Sequence, residues 1–297
     1  MKIRYNTIHT KKGTIVILFL VLLILLTILF LIEEIKKQRP QKKVNEITHE
    51  EKIKVEKEKE IENCVPLPKK RQCGKIALII DDVGWNPEIV SKITKLNVPL
   101  TLAILPDSPF GLKIAQQLSG RKNLEMILHV PLEPEVNSSS ETRLMQGFLT
   151  ISMSNEEINK KIDEYFEKFG PYITGVNHHM GSRFTTDKEK MEILLQKIKE
   201  KKLIYVDSLT AKESVGYLLA KDMGVPSTKR DIFIDGSSEY SEIANCLEKA
   251  AKIASQKGMV VAIGHARSST FTVLEQKIPE LKEQGYQFLL ISQVIKQ

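Results

Sequence analysis

"KIALIIDDVG", residues 75–84, is the stretch on which the reading of this chain turns. From Ile76 to Ile80 the residues are apolar and mostly branched, the composition of a strand buried on both faces. The run ends in two adjacent carboxylates, Asp81 and Asp82, followed by a turn-forming Gly84. A solvated loop start with one Asp capping the next helix accounts for such a pair. So does a strand that delivers two carboxylates to a working site. The rest of the chain weighs one against the other.

Downstream, short apolar runs alternate with amphipathic stretches. Strands are predicted at 75–81, 99–105, 124–130, 173–179, 203–208, 231–235 and 259–265. Helical patterns lie near 87–96, 108–119, 155–169, 187–201, 211–222, 239–257 and 274–284. Ser108-Pro109 reads as one helix start, and Ser154 with Glu157 as a capping box before another. Gly170, Gly224 and Gly258 stand at plausible helix ends. Seven β–α alternations with short connections imply an α/β fold with a parallel sheet. The count favours a seven-stranded barrel-like (β/α) domain over an open, doubly wound sheet.

The 297 residues carry a formal charge of +7, which at first sight suggests a nucleic-acid partner. Residues 1–73 hold 16 Lys and Arg against 9 Asp and Glu, so the whole excess lies there, and residues 74–297 are balanced. No electrostatic footprint for nucleic acid remains in the domain. "TIVILFLVLLILLTILFLI", residues 14–32, contains no charge, Gly or Pro. At 1.5 Å per residue this helix would run about 28 Å, enough to span a bilayer core. It is too long for the apolar region of a cleaved signal peptide and lacks a small-residue cleavage site. Basic residues flank both ends, so charge barely sets the orientation. A short leader and one long following domain suit an N-inside anchor. The organisation expected is a cytoplasmic leader (1–13), a single-pass cell-membrane anchor (14–32), a charged tether (33–73) and an extracytoplasmic domain (74–297). Cys64 and Cys73 are spaced to allow a disulfide in an exported chain; Cys246 stands alone.

Of six His, four (His129, His178, His179 and His265) fall at the ends of predicted strands. Asp81, Asp82, Asp207 and Asp235 do the same. In parallel β/α folds the carboxyl ends of the strands form one rim, where ligands bind. Five strands thus send His or Asp to one place, which singly would mean little. Such a set, with no cysteine pair, suits a divalent metal such as zinc in an open catalytic site. One of the paired Asp would bind the metal, and the other would stay free as base.

These residues also carry a resemblance. The domain resembles the polysaccharide deacetylases with the NodB-homology fold, and more closely their divergent branch, through "DDVG", "LHVPLEP", "HHMGS" and "IGHAR" taken together. The resemblance covers roughly residues 75–297. It implies Asp81 as base, Asp82 as metal ligand, His129 as a second ligand and His265 as general acid, arriving from the opposite side of the rim. It implies a metal-dependent hydrolase acting on acetyl groups of a cell-envelope polysaccharide. Glu133 stands where the family's second motif has its second His, and "NHHMGSRF" replaces its third motif. The third ligand is therefore open among His179, His178 and Glu133, and alternation along the strand lets only one of the two His face the interior. Arg183 is either a rim charge or the partner that keeps Asp81 ionised. Asp207 and Asp235 either orient ligands or merely end their strands. Trp85, the only Trp, either stacks on a sugar or packs in the core. The alternative function is a non-catalytic envelope domain that keeps the fold and binds a glycan or a cell-wall protein.

Overall fold

The computed structural model describes residues 25–31, 33–34, 73–135 and 147–295. The chain divides into two units, residues 1–69 and 70–297. In the first, residues 25–31 and 33–34 are helical, and Leu25, Leu26, Ile28, Leu29, Phe30 and Leu31 are exposed. The leader and most of the expected anchor and tether, Cys64 included, lie outside the described residues. Among the described residues no helix is long and apolar enough to cross a membrane.

In the second unit nine strands among the described residues form one sheet. They are β1 (Gly74–Val83), β2 (Leu100–Ile104), β3 (Leu124–Leu132), β4 (Gly175–Met180), β5 (Ile204–Asp207), β6 (Ser227–Lys229), β7 (Ile232–Phe233), β8 (Met259–His265) and β9 (Tyr286–Leu289). Between them run helices α1 (Ile89–Leu96), α2 (Gly111–Leu118), α3 (Asn155–Phe169), α4 (Lys188–Glu200), α5 (Gly216–Asp222), α6 (Tyr240–Lys257) and α7 (Ser268–Glu283), with α8 (Ile291–Ile295) after β9. Every pairing is parallel, in the order β6-β5-β4-β3-β2-β1-β8-β7. β1 to β6 follow chain order across the sheet without the reversal that a doubly wound sheet requires. β9 shares an edge of β1 with β2, pairing with Gly74–Ala77 below the β2 contacts.

The sheet is curled. Its two edge strands, β6 and β7, are consecutive in the chain, so three Cα steps of about 3.8 Å bound the distance between them at roughly 11 Å. The bridge is Arg230-Asp231: the Arg230 amide donates to the Asp207 carbonyl on one side, and the Asp231 amide to Val261 on the other. Barrel-like closure is therefore made by crossing chain rather than by a strand pair. Alternation sorts the side chains accordingly. Ala77, Ile79, Ala103, Ile127, Ile204, Val206, Val261 and Ile263 fill the interior, with Ile291 and Val294 of α8 beneath them. Their odd-even neighbours, such as Ile76, Leu78, Ile80 and Val176, pack against the helices.

The predicted elements differ from this at a few places. β6 and β9 add to the seven expected strands. The helix expected at 274–284 begins at Ser268. Ser108 caps nothing, because its hydroxyl donates to the Leu105 carbonyl and α2 starts three residues later. The Ser154–Glu157 capping box is complete.

Candidate functional site

The paired carboxylates owe their placement to a bulge. Between Ile80↔Leu102 and Val83↔Ile104, β1 spends three residues against two on β2. The extra residue sits at Asp81-Asp82, and Asp82 has φ 59°. Asp tolerates this left-handed conformation better than a branched residue, because its short carboxylate can bond locally. Regular pleating would send neighbours to opposite faces. The bulge turns both carboxylates toward one rim.

Asp81 continues the interior series of Ala77 and Ile79; His129 continues Ile127, and His265 continues Val261 and Ile263. On β4 the same parity puts Asn177 and His179 inside and His178 outside. Nε2 of His129 lies 3.3 Å from Asp82 Oδ1 and 3.8 Å from Asp81 Oδ2, and Nδ1 of His179 lies 2.9 Å from the same Asp82 oxygen. The Asn177 amide donates to Asp81 Oδ1 at 2.8 Å, and its oxygen meets His129 Nδ1 at 2.7 Å. Asp82 Oδ1 is buried and accepts no aligned hydrogen bond despite two ring nitrogens beside it. One ligand atom each from Asp82, His129 and His179 falls within 4.8 Å of the others. A carboxylate oxygen and two imidazole nitrogens that converge without an aligned hydrogen bond fit a divalent cation.

On the other flank of β1 stands His265, with Nδ1 2.8 Å from Asp235 Oδ1. Asp235 Oδ2 accepts from the His265 amide and the Thr270 hydroxyl, each at 2.6 Å. The expectation that His265 comes from the opposite side of the rim needs correcting. β8 is hydrogen-bonded to β1, with Asp81 in register with His265, because the late strands return to cover the free edge of the first. His265 and His129 instead flank Asp81 from its two sides.

The remaining candidates lie elsewhere. Glu133 accepts from Arg183 at 2.9 Å and from the Ile151 amide at 2.7 Å, clasping two loops outside the Asp–His–His group. Arg183, half exposed, is thereby occupied away from Asp81. On the helix-facing side of the sheet, His178 Nδ1 donates to the Met180 carbonyl at 2.8 Å, while Nε2 accepts from the Ser208 amide at 3.1 Å and lies 3.2 Å from Asp207. Trp85 is 63% exposed and is no core residue. It separates two clefts that meet at Asp82. One, about 340 Å³, has Leu105, Pro106, Asp107, Phe148 and His179 in its walls. The other, about 110 Å³, has Asn86, Ile89, His265 and Arg267.

The two adjacent Asp differ electrostatically. Burial pushes the Asp81 carboxyl up from its ordinary value, against the His129 charge, the Asn177 bond and the His265 charge, with Asp82 adding to the rise. Burial would raise Asp82 too, but contacts with His129 and His179 and their charges hold it well below the usual carboxylate range. Burial works against the His129 cation, yet the charge of Asp81 and the contact with Asp82 raise it. His265 also lies above its ordinary value: burial opposes this, and the Asp235 bond, then the charges of Asp235, Asp81 and Asp82, prevail. One carboxylate ready to hold a proton beside one that stays ionised is the asymmetry a base and a ligand require.

Comparison with known proteins bears on this cluster. The profile of divergent polysaccharide deacetylases matches residues 78–295, which include every residue of the site. The chain belongs to the divergent polysaccharide deacetylase family. An uncharacterized protein of Haemophilus influenzae is 31% identical over 210 residues, 71% of this chain and 73% of its own. The uncharacterized protein YibQ of Escherichia coli is 30% identical over 208 residues, 70% of this chain and 63% of YibQ. Among solved structures, the uncharacterized protein ATU2773 of Agrobacterium tumefaciens shares the fold, with a TM-score of 0.67 at 19% identity over 77% of this chain and 92% of that one. Sequence reasoning passed over two residues of the site. Asn177 lies two before His179, so parity alone flags it. Arg230, whose guanidinium lies 3.7 Å over the Phe233 ring that stacks on His265, shows its place only once the sheet curls.

Proposed function

We propose that the domain is a metal-dependent hydrolase that removes acetyl groups from a cell-envelope polysaccharide. The observation that carries this reading is the buried Asp82 Oδ1, without an aligned hydrogen bond yet facing His179 Nδ1 and His129 Nε2, with Asp81 beside it but outside the ligand group. Asp82, His129 and His179 would hold a divalent metal, zinc by donor chemistry. When bound, such an ion supplies a water of lowered pKa and polarises an acyl oxygen. Asp81 accepts the proton of the attacking water, its burial making it a better base than a solvated carboxylate. His265, with Nδ1 engaged by Asp235, offers Nε2 to the departing amine or alcohol and protonates it. Trp85 and Phe148 give the larger cleft aromatic faces suited to a sugar ring.

Residues 14–32, uncharged over 19 positions, are proposed to anchor the chain in the cell membrane with the domain outside. The glycan would then be within reach.

Acetate release from acetylated envelope glycans by the purified, zinc-loaded chain is the test. Asp81→Asn should lower it at least about 100-fold while metal content stays unchanged. No acetate from the wild type, or undiminished release from Asp81→Asn, would overturn the reading. The glycan-binding alternative would then take its place.

A further inference from the structure

Asn177 occupies the point where the base and a metal ligand come closest. It is fully buried. On β4 it is the register partner of His129 on β3. Asp81, by contrast, lies on β1, with β2 and β3 between. The two meet only because the curled sheet brings their side chains together across its interior. At that meeting the Asn177 Nδ2 donates to Asp81 Oδ1 at 2.8 Å, and Asn177 Oδ1 accepts from His129 Nδ1 at 2.7 Å.

An amide has one donating and one accepting end, so the two contacts constrain each other. An ionised carboxylate only accepts, so Asp81 takes the NH₂ end. The oxygen is thereby turned to His129, whose Nδ1 must carry the proton. A neutral imidazole holds a single N–H, which leaves the lone pair on Nε2. That nitrogen is the one 3.3 Å from Asp82 Oδ1.

We propose that Asn177 is a positioning residue, a single amide that fixes the metal-binding tautomer of His129 and holds the Asp81 carboxylate in place. This deepens the deacetylase reading and rests on it for the roles of Asp81 and His129. The pairing of donor and acceptor at these two distances is specific to the Asn amide. Asp offers two acceptors and no donor, Leu offers neither, and Gln shifts both ends by a methylene.

The test separates the two ends in the full-length chain. Long-range ¹H–¹⁵N spectra of the metal-free wild type, taken at a pH high enough for His129 to be neutral, should show its remaining proton on Nδ1. Asn177→Leu removes the acceptor, so His129 should shift toward the Nε2–H form and zinc affinity should fall about 10–100-fold. Asn177→Asp keeps an acceptor for His129 but turns a donor to Asp81 into a like charge. Zinc affinity should then stay within about threefold, while acetate release falls at least about 100-fold. Thermal unfolding of each variant accompanies these measurements; should Asn177→Leu not fold, the wild-type spectrum and Asn177→Asp carry the test. His129 protonated on Nε2 in the wild type, zinc affinity unchanged in Asn177→Leu, or normal turnover in Asn177→Asp would each overturn the proposal. A wild type that binds zinc with the Nδ1–H tautomer but releases no acetate overturns the deacetylase reading instead, and leaves the positioning of His129 standing.

Discussion

Asp81 and His265 are register partners on adjacent parallel strands, and the Ala266 amide donates to the Asp81 carbonyl at 2.9 Å. The proposed base and acid are thus set by main-chain hydrogen bonds between two central strands rather than by loops. Their separation should change little as substrate comes and goes.

Asp235 governs whether that acid is charged. His265 is raised above its ordinary value, with burial opposed by the Asp235 bond and charge. Its protonated form therefore persists to higher pH, and activity should decline only as pH rises through that raised value. In Asp235→Asn the alkaline decline of kcat should begin at lower pH, with kcat itself about 10–100-fold down. A pH–rate profile reads both. The same bond contributes stability that is complete below the ordinary His pKa and is lost as pH rises through the raised one.

Trp85 should matter to substrate and not to folding. Being largely exposed between the two clefts, Trp85→Ala should leave the unfolding midpoint unchanged and kcat within about twofold. Loss of a stacking contact of about 0.5–1.5 kcal/mol should raise KM for an oligosaccharide roughly 2–10-fold. Steady-state kinetics on glycan fragments decides it.

Gly84 is needed for two separate reasons. Its φ is +136°, and a Cβ there would overlap the Ser108 hydroxyl. Gly84→Ala should cost about 1–3 kcal/mol in urea unfolding. Adding Ser108→Ala should restore only part, since the Cβ at 108, 2.6 Å from the added methyl, stays in place and the backbone strain persists.

Asp207 should prove structural. It is fully buried and accepts from Ser214 and from the Leu209 and Tyr217 amides, with His178 beside it. Burial would raise it, but the His178 bond and charge and these donors lower it from 3.8 to about 2. Asp207→Asn should cost about 2 kcal/mol at neutral pH. The difference is present above the ordinary carboxylate pKa and should close as pH falls toward about 2. Zinc content should not change, because Asp207 faces the helices.

Much of this was legible in the residues. β1, β3 and β8 announce themselves because strands covered on both faces must be apolar throughout, and their polar ends then stand out. Pleating parity rightly separates His178 from His179, although it leaves open which of them faces inward. Other features carry no such mark. β6, "STK", is a short polar edge, and β9, "YQFL", is too brief to show a period. The left-handed Asp82 has no pattern that sets it apart from an ordinary loop Asp. Glu133 and Arg183 neutralise each other, which only their approach in space reveals. Asn177 escaped notice because an amide does not titrate, and a search for acids, bases and ligands passes over it.

The pairing of β1 also fixes when the domain can form. Its edges are satisfied by β2, by β8 and by β9, and the last two end at His265 and Leu289. A ribosome adding about 5–20 residues per second needs on the order of 10–40 s to pass from the first strand to the last. Through that interval a strand with five consecutive buried apolar residues, 76–80, lacks its partners β8 and β9. Nascent chains should therefore complete the sheet only when synthesis is nearly finished, and a chain cut short before Tyr286 leaves β1 with an unsealed edge.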